Sequence, residues 1–359
     1  MKKYSFLPIC LSLCLFLIIR PAFAQSDVSG LIKSGPADAT KLTQAYLKPL
    51  FIGLGTGLNS GWNNTAHSKN LLRFDLRIGM TAAVVPPTDE TFDVTKIGLS
   101  NNIRPNDPAQ VITPTLAGKS STRAAMTIYD SNNQALETFT MPDGAGLGLI
   151  PSPQLQGSIG LSNGVELSLR AMPKVNLGTD YGSIQMLGGG LKIELLPLIS
   201  GIGDKLFPVD IALAGGFTQF QYHLPLDVKV PAGAIPANPE QVKDLSNQRI
   251  EAKFSGFTTE AIISKRFLVF TPFVSLGYQA SKTDAGLKGN YPVITGMTLL
   301  GQKTYTSFTD PVNIKQTDLE GFRANIGFQL NLAFFRIYGS YGMSQYNSFS
   351  GGIGFGIGK

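Results

Sequence analysis

The sequence predicts an all-β protein: an antiparallel transmembrane β-barrel, preferably of 14 strands within a range of 10–14, with a short helical N-terminal plug. Three observations predict this fold class. The chain begins like an exported protein, long segments alternate apolar and polar residues, and tight turns alternate with long polar connections. Barrels that span a membrane combine these features, because lipid-facing and lumen-facing residues alternate along each strand.

The first 24 residues have the pattern of a secretory signal peptide. A positive start, "MKK", precedes an apolar run over residues 6–19 and the sequence "AFA" at residues 22–24. We therefore expect cleavage after Ala24. The only two cysteines, Cys10 and Cys14, lie inside this segment, so the mature chain is expected to contain neither disulfides nor cysteine-based metal sites.

Charge and hydropathy narrow the class of protein further. Without residues 1–24, the chain has 27 basic and 24 acidic residues, a formal charge of +3, which does not indicate a nucleic-acid surface. No later run reaches the roughly 18 consecutive apolar residues that a membrane helix needs. An exported chain of this kind is either soluble or inserted as a barrel, and the periodicity decides between them.

The clearest alternation is in residues 71–85, "LLRFDLRIGMTAAVV". Apolar residues occupy the even positions, whereas the odd positions include Arg73, Asp75 and Arg77. Period two over fifteen residues predicts a strand longer than the usual five or six residues. Further alternating segments occur at 165–170, 209–218 and 322–332. A soluble sandwich also alternates but has shorter strands, so we favour the membrane barrel.

Connection lengths give the strand count and the orientation. Tight turns are predicted at 162–164, 265–267 and 333–335, and long polar connections at 225–248 and 282–318. Placing the tight turns in the periplasm gives ten strands. Hairpins hidden in the segments 86–153 and 282–318 would raise the count to 12 or 14. At about 21 residues per strand and loop, the predicted barrel of residues 67–359 favours 14.

The segment 25–66 lacks strand alternation and is predicted to form the plug. Pro36 suits the first turn of a helix, and Pro49 is expected to end regular helix nearby. Apolar residues follow at helical spacing, and the only tryptophan lies near the junction with the barrel. The residues expected to pack the plug are Leu42, Tyr46, Leu50 and Trp62. The alternative is a periplasmic extension that lies against the wall.

The last strand resembles the β-signal that the barrel-assembly machinery recognises. In "SGGIGFGI", residues Ser350 to Ile357, a polar residue, Gly352, Phe355 and Ile357 occupy the spacing of that signal. The chain ends in Gly358 and Lys359, where a terminal phenylalanine is usual. The sequence therefore predicts this machinery as a partner, and the alternative is an ordinary glycine-rich strand.

Other motifs predict no cofactor, metal or catalytic site. "GLGTGL" at 53–58 lacks the strand and βαβ unit of a phosphate loop. The two histidines, His67 and His223, are each expected to make a structural hydrogen bond. The glycines at 188–190 and 215–216 lie in predicted strands, where they would let the wall bend or the plug approach closely.

Charged residues predicted to face the lumen are the main functional candidates. Five of each sign are expected there: Arg73, Arg77, Arg170, Lys192 and Arg323 against Asp75, Glu166, Glu194, Asp210 and Glu260. Confined charges need partners, so they are expected to pair with each other or with the plug. The alternative is that they line a polar path through the barrel.

Several stretches carry a family resemblance: "LTQAYLKPLFIGLGTGLNSGWNNTA" (42–66), "LLRFDLRIG" (71–79), "LSLRAMPKVNLG" (167–178) and "GGGLKIELLP" (188–197). With these motifs the chain resembles an uncharacterised family of outer-membrane barrels from Bacteroidota, a domain of unknown function. More distantly, it is similar to the long-chain fatty-acid outer-membrane transporters, which have 14 strands, an N-terminal hatch and a lateral exit. Their hatch shows Asn-Pro-Ala where this chain has residues 64–66, Asn-Thr-Ala.

The resemblance implies a barrel in the outer membrane of a Gram-negative bacterium, surrounded by lipid. The expected function is a passive channel or transporter for small hydrophobic or amphipathic molecules, without enzymatic activity. The alternative is a structural or partner-binding barrel that acts through its long extracellular loops. A third hypothesis, a hydrolase of the outer membrane, would have to use His67 or His223.

Overall fold

In the part of the chain that the structure describes, ten strands form a closed antiparallel barrel in which each strand pairs with the next and the last pairs with the first. The computed structural model describes residues 34–357 apart from 120, 131, 163 and 199–207, so the predicted signal peptide lies outside the described residues. The barrel strands are β1 (Phe74–Val84), β7 (Leu149–Ser162), β8 (Val165–Gly178), β9 (Gly182–Glu194), β10 (Asp210–Pro225), β12 (Arg249–Ser264), β13 (Phe270–Lys288), β16 (Val312–Leu332), β17 (Phe335–Met343) and β18 (Ser348–Ile357).

The remaining strands form three small sheets outside the wall. They are β2 (Thr91–Asp93) with β4 (Ile112–Pro114); β3 (Ile103–Pro105), β5 (Ala125–Tyr129) and β6 (Ala135–Thr140); and β11 (Ile235–Pro236), β14 (Asn290–Met297) and β15 (Lys303–Thr309). All three belong to connections at the end of the barrel where β1 finishes, which we call the long-loop end. The end where β1 begins is called the short-turn end.

The all-β barrel is confirmed, but the preferred count of 14 strands is not found. Ten strands close the barrel, the lower bound of the predicted range. The hairpins hidden in the segments 86–153 and 282–318 exist, yet they join the small sheets. The reason is visible in the register: β13 pairs directly with β16 up to Leu287 and Val312, so the hairpin between them extends beyond the wall.

Alternation along the strands separates an apolar outer surface from a polar interior. In β1, Leu76 is 46% exposed on the outside, whereas its neighbour Asp75 is 6% exposed on the inside. The same pattern continues around the barrel. Outward-facing apolar residues include Leu167, Leu169, Leu191, Leu213, Phe217, Phe257, Val274, Leu276, Phe322, Ile326, Ile353 and Phe355.

One helix, α1 (Pro36–Asn59), lies inside the barrel, since it contacts six strands from different parts of the wall: β1, β7, β10, β12, β13 and β16. Pro36 occupies the first turn, as expected, and Asp38 lies near the positive end of the helix dipole. Pro49 does not end the helix, which continues to Asn59. A proline inside a helix costs about 3 kcal/mol in isolation, and packing against the wall on all sides offsets that cost. No described helix has the length and apolar character required to cross a bilayer.

The N-terminal half of α1 packs under the long connection between β1 and β7. Leu42 is fully buried in a cluster with residues of that connection, including Val94 and Met126. The Tyr46 hydroxyl donates to the Asp143 carbonyl at 2.8 Å. The connection therefore covers the start of the helix at the long-loop end, and the C-terminal half of α1 descends into the lumen.

Tyr346 links the turn between β17 and β18 to the long connection and, through Asp89, to α1. Its hydroxyl donates to Asp89 Oδ2 at 2.6 Å, and Asp89 Oδ1 accepts from Lys48 Nζ of the helix at 2.7 Å. Burial raises the pKa of the Tyr346 phenol, and the hydrogen bond to Asp89 raises it further. The phenol therefore stays protonated and keeps donating over the whole physiological range.

Candidate functional site

The end of α1 is held by an arginine that the wall buries completely. Arg170, on β8, has no exposed surface. Its Nη1 donates to the Leu58 carbonyl at 3.0 Å and its Nη2 to the Ser60 carbonyl at 2.8 Å. The Nε atom donates to Gln156 Oε1 at 3.0 Å, and the guanidinium lies 3.8 Å from the centre of the Trp62 ring. The planar group thus uses both its fork of donors and its face.

Two further arginines reach the same point from other strands. Arg323 Nη1, on β16, donates to the Asn59 carbonyl at 2.6 Å. Arg77 Nη2, on β1, donates to the carbonyls of Gly61 and Trp62 at 2.7 and 2.8 Å. We call Arg77, Arg170 and Arg323 the arginine clamp.

The clamp satisfies a requirement of the helix itself. The last carbonyls of a helix have no partner within it, and they form the negative end of the helix dipole. Inside a barrel, water cannot freely reach those carbonyls. Arg170 and Arg323 supply donors to the last helix carbonyls, and Arg77 holds the turn that follows them. All three add positive charge, so the helix end has a defined position in the lumen.

Trp62 fits against a part of the wall that has no side chains. Gly190 and Gly216 are directly paired on β9 and β10. A Cβ atom added to Gly216 would lie 2.5 Å from the Trp62 ring, and one added to Gly190 would lie 2.7 Å from it. These glycines allow the close approach of the plug that the sequence predicts.

The "GLGTGL" motif is part of α1 and packs against the wall. A Cβ on Gly53 would come within 2.5 Å of Ile150, and one on Gly57 within 2.0 Å of Ser152 Oγ, both on β7. On another face of the helix, a Cβ on Gly55 would come within 2.1 Å of Ser281 Oγ. The motif lets a helix fit into a narrow barrel, which is a packing role.

A second group of charges lies nearer the short-turn end. Glu166 accepts from Lys69 at 2.9 Å and from Lys192 at 3.1 Å. Lys192 also donates to the His67 carbonyl at 3.0 Å. Because Lys69 and His67 belong to the segment between α1 and β1, these contacts fasten the exit of the plug to β8 and β9.

The space beside the clamp is small. A polar cavity lined by Gly61, Arg77, Gln154 and neighbouring residues of β1 and β18 has a volume of about 20 Å³. That volume holds roughly one water molecule. The helix and its clamp therefore leave little space beside Arg77.

Residues 1–357 match the model of a family described as a family of unknown function, DUF6588. The chain belongs to the DUF6588 family. A search of curated proteins found no match to this chain.

Solved structures similar to this DUF6588 member are barrels at low identity. They include Ail of Yersinia pestis in complex with sucrose octasulfate (9% identity, TM-score 0.25, covering 80% of this chain and 99% of Ail). The outer membrane protease OmpT of Escherichia coli gives 8% identity and a TM-score of 0.29, covering 83% and 100%. The Pseudomonas putida toluene transporter TodX gives 8% and 0.28, covering 87% and 75%. TM-scores this low support no conclusion about this chain. The barrel is assigned from the strand pairing of the chain itself.

Most of the charged residues expected in the lumen of this DUF6588 member have partners there. Asp75 pairs with Arg336 and accepts from the Tyr338 hydroxyl at 3.1 Å. Glu260 accepts from Asn63 of the plug exit at 3.0 Å. The remaining ones are Arg77, Arg170 and Arg323 of the clamp, Glu166 with Lys192, and Glu194 and Asp210 near His67.

Arg73 is the exception. The predicted alternating strand included Arg73, and the prediction is wrong at this residue. It is exposed and precedes β1, which begins at Phe74. Alternation extended through Arg73 in the sequence, but the backbone turns there at Leu72, which has a φ of 60°. Arg73 therefore lies at the short-turn rim of the barrel.

Sequence reasoning missed two partners, for different reasons. Arg336 lies between the outward-facing Phe335 and Ile337 of β17, so the same period-two rule would have placed it inside. Lys69 lies in the irregular segment before β1, where no periodicity indicates which way a side chain points. Of the plug residues, Leu42 and Tyr46 pack under the long connection, and Trp62 packs against the wall.

Proposed function

We propose that the barrel of this protein spans the outer membrane of a Gram-negative bacterium, surrounded by lipid. The continuous apolar outer surface supports this location, since soluble monomers rarely expose such large patches. Aromatic pairs border that surface on β13 and β16: Phe270 with Phe328, and Tyr278 with Phe322. The two levels are eight residues apart on β13 and six on β16, about 20–26 Å along the strands and roughly 15–20 Å after a tilt of about 40°, which fits within the ~25 Å apolar band of an outer-membrane barrel.

The proposed membrane location predicts different amounts of inserted barrel for two arginine substitutions. Ile326 lies outside, midway between the aromatic levels, and Gln329 lies inside on the same strand. Ile326→Arg should cost roughly 2–4 kcal/mol and strongly reduce the amount of inserted barrel, whereas Gln329→Arg should not. The measurement is the fraction that resists protease and migrates as folded barrel in membrane extracts. Equal losses from both variants would contradict the membrane location.

We also propose that Ser350 to Ile357 is recognised by the barrel-assembly machinery. Phe355→Ala with Ile357→Ala should leave the chain unassembled, because both residues stand at required positions of the signal. Phe349→Ala with Ile353→Ala removes two large apolar residues from positions of the same strand that the signal does not restrict, and it should assemble. Membrane-inserted levels measured by immunoblot separate the two, and normal levels of the first variant would argue against recognition.

We propose that α1 gates the passive passage of small hydrophobic or amphipathic molecules through the barrel. The observation that carries this proposal is that one helix fills the lumen, held at its C-terminal end by the clamp and at its N-terminal half by the connection between β1 and β7. About eight strands is the size at which wall side chains alone fill the interior. Ten strands leave room for about one helix, so movement of α1 would open a path comparable to its own width of about 10 Å.

Between the clamp and the part of α1 that lies under the long connection, the contacts of the helix are of a kind that permits movement. Phe51 packs on Phe254 and belongs to an apolar cluster that contains Met172 and Met186, and methionine adapts readily to a change of neighbours. Ser152 Oγ and Ser281 Oγ, which face the glycines of the helix, lack protein hydrogen-bond partners. Each buried hydroxyl of this kind costs about 1–3 kcal/mol unless it is hydrated, so the wall gains little from holding the helix here.

The apolar part of the lumen and the outer wall favour hydrophobic cargo. A groove of about 470 Å³ lies on the wall across β9, β10, β12 and β13, lined mainly by leucines and small residues such as Gly215 and Ala261. Because the lower lumen is charged, a hydrophobic molecule that enters from the long-loop end would leave most readily through the wall. Small residues such as Gly215 and Ala261 make the wall thin at this groove.

Uptake measurements test this proposal. Cells whose outer membrane limits uptake are compared with and without the protein, using a small apolar aromatic solute and an uncharged sugar of similar mass. We expect faster uptake of the aromatic solute alone. Uptake equal to that of the empty vector for both solutes would refute passage through the barrel.

A second candidate function is partner binding by the long loops. Leu299 and Leu300, at the tip of the β14–β15 hairpin, are fully exposed, which is unusual for a connection that faces water. Leu299→Ser with Leu300→Ser should leave solute uptake unchanged if transport is the function. Loss of uptake in this variant would show that the hairpin tip takes part in uptake.

A further inference from the structure

Three side chains with metal-ligating atoms meet at the short-turn end of the barrel. His67 belongs to the segment that leads from α1 to β1, Glu194 is the last residue of β9, and Asp210 is the first residue of β10. Their ligating atoms all lie within 4.8 Å of one another. Glu194 and Asp210 lie on neighbouring strands, and the segment that leaves the plug brings His67 to them.

The distance between two of these atoms fits a shared ion better than a hydrogen bond. His67 Nδ1 lies 3.3 Å from Glu194 Oε1. A charge-assisted hydrogen bond between such groups usually spans about 2.7–2.9 Å. Two ligands held at about 2.0–2.1 Å around a tetrahedral zinc ion lie roughly 3.3–3.4 Å apart. The pair is thus already at the separation that a metal would impose.

Surrounding groups orient both ligands. Glu194 Oε2 accepts from the Ser68 amide at 2.6 Å and from the Ser68 hydroxyl at 2.7 Å, which leaves Oε1 directed at His67. The backbone of His67 is fixed as well, since its amide donates to Thr65 Oγ1 at 3.1 Å and its carbonyl accepts from Lys192. Hydrogen bonds of this kind typically hold metal ligands in place.

Charge and access also suit a cation. Glu194 and Asp210 bring two carboxylates together, and the nearby Lys192 is paired with Glu166 at 3.1 Å. Asp210 Oδ2 accepts only a long hydrogen bond, 3.5 Å from Ser264 Oγ, so its side chain can adjust toward a bound ion. The His67 side chain is 40% exposed, which leaves room for a water ligand.

We propose that His67, Glu194 and Asp210 bind a divalent transition-metal cation such as Zn²⁺ at the short-turn mouth. One imidazole, two carboxylates and a water complete a tetrahedral site, and imidazole ligation favours zinc over calcium or magnesium. The bound ion joins the plug exit to two wall strands, so it stabilises the plugged state. The proposal does not depend on what passes through the barrel.

Zinc binding to the refolded barrel, carrying no histidine tag, tests the site by titration calorimetry. We expect one site in the unaltered protein and affinity at least about tenfold weaker in His67→Ala. The matched control is His223→Ala. His223 lies at the opposite end of β10, 3.9 Å from Glu251, without a third ligand among the described residues, and its removal should leave zinc binding unchanged.

A near-isosteric variant separates loss of zinc binding from loss of folding. Asp210→Asn should retain the barrel, weaken zinc binding at least about tenfold, and abolish the rise in melting temperature that zinc causes in the unaltered protein. Absence of zinc binding to the unaltered protein would overturn the proposal. Binding that survives His67→Ala, or that His223→Ala weakens equally, would overturn it as well.

Discussion

Deleting residues 36–62 should leave a membrane-inserted barrel whose ion conductance is at least about tenfold that of the full-length protein. The deletion removes α1 and the residues that the clamp holds, while all ten wall strands remain. Arg77, Arg170 and Arg323 then face water in a lumen with no filling, and polar walls of this kind conduct ions. Single-channel recordings in planar bilayers measure the effect at equal insertion.

The control deletion removes a segment from outside the wall. Deleting residues 290–309 takes away the β14–β15 hairpin, and the ends meet because the Gly289 carbonyl already accepts from the Asp310 amide at 2.9 Å. This variant should conduct as little as the full-length protein. If the helix deletion also conducts no better, then α1 is not what closes the lumen.

Gly216→Val should open the barrel without any deletion. A Cβ at this position would lie 2.5 Å from the Trp62 ring, so even the smallest side chain forces the tryptophan away from the wall. Trp62 stacks on Arg170, which holds the helix end, and the disturbance therefore reaches the clamp. We expect a conductance several times that of the unaltered protein, between that of the full-length chain and that of the helix deletion.

The adjacent residue provides the control for this substitution. Gly215 points outward, and a Cβ there would have its nearest neighbours at 3.6 and 3.8 Å, an ordinary contact distance. Valine favours strands, so Gly215→Val should fold normally and keep the low conductance. Similar conductance from both variants would mean that the Trp62 contact does not hold the plug.

Alternation along the sequence predicted the wall because each strand has a lipid-facing and a lumen-facing side. It placed Asp75 and Arg77 inside and Leu76 outside, and the structure has them there. The strand count could not be predicted in the same way. Alternation does not show whether a hairpin joins the wall or extends beyond it, and that depends on β13 pairing directly with β16.

The candidate site was predictable only in part. The inward arginines follow from periodicity, but their binding to helix carbonyls depends on where α1 ends in three dimensions. Pro49 suggested an earlier end, and the helix instead continues to Asn59, which brings its last carbonyls to the clamp. His67 lies in irregular backbone, so its approach to Glu194 and Asp210 has no signal in the sequence.

The central claim is that α1 lies in the lumen and must move for molecules to pass. A disulfide between the helix and the wall tests it most directly, since the predicted mature chain has no cysteine of its own. Above the clamp, a Cβ on Gly55 would lie 2.7 Å from Ser281 Cβ, and a shift of about 1 Å brings the pair to the usual 3.5–4.5 Å. In Gly55→Cys with Ser281→Cys, oxidation should form the bond and reduce uptake of the aromatic solute to the vector level, and reduction should restore it. Uptake that stays unchanged in the fully cross-linked protein would contradict the claim.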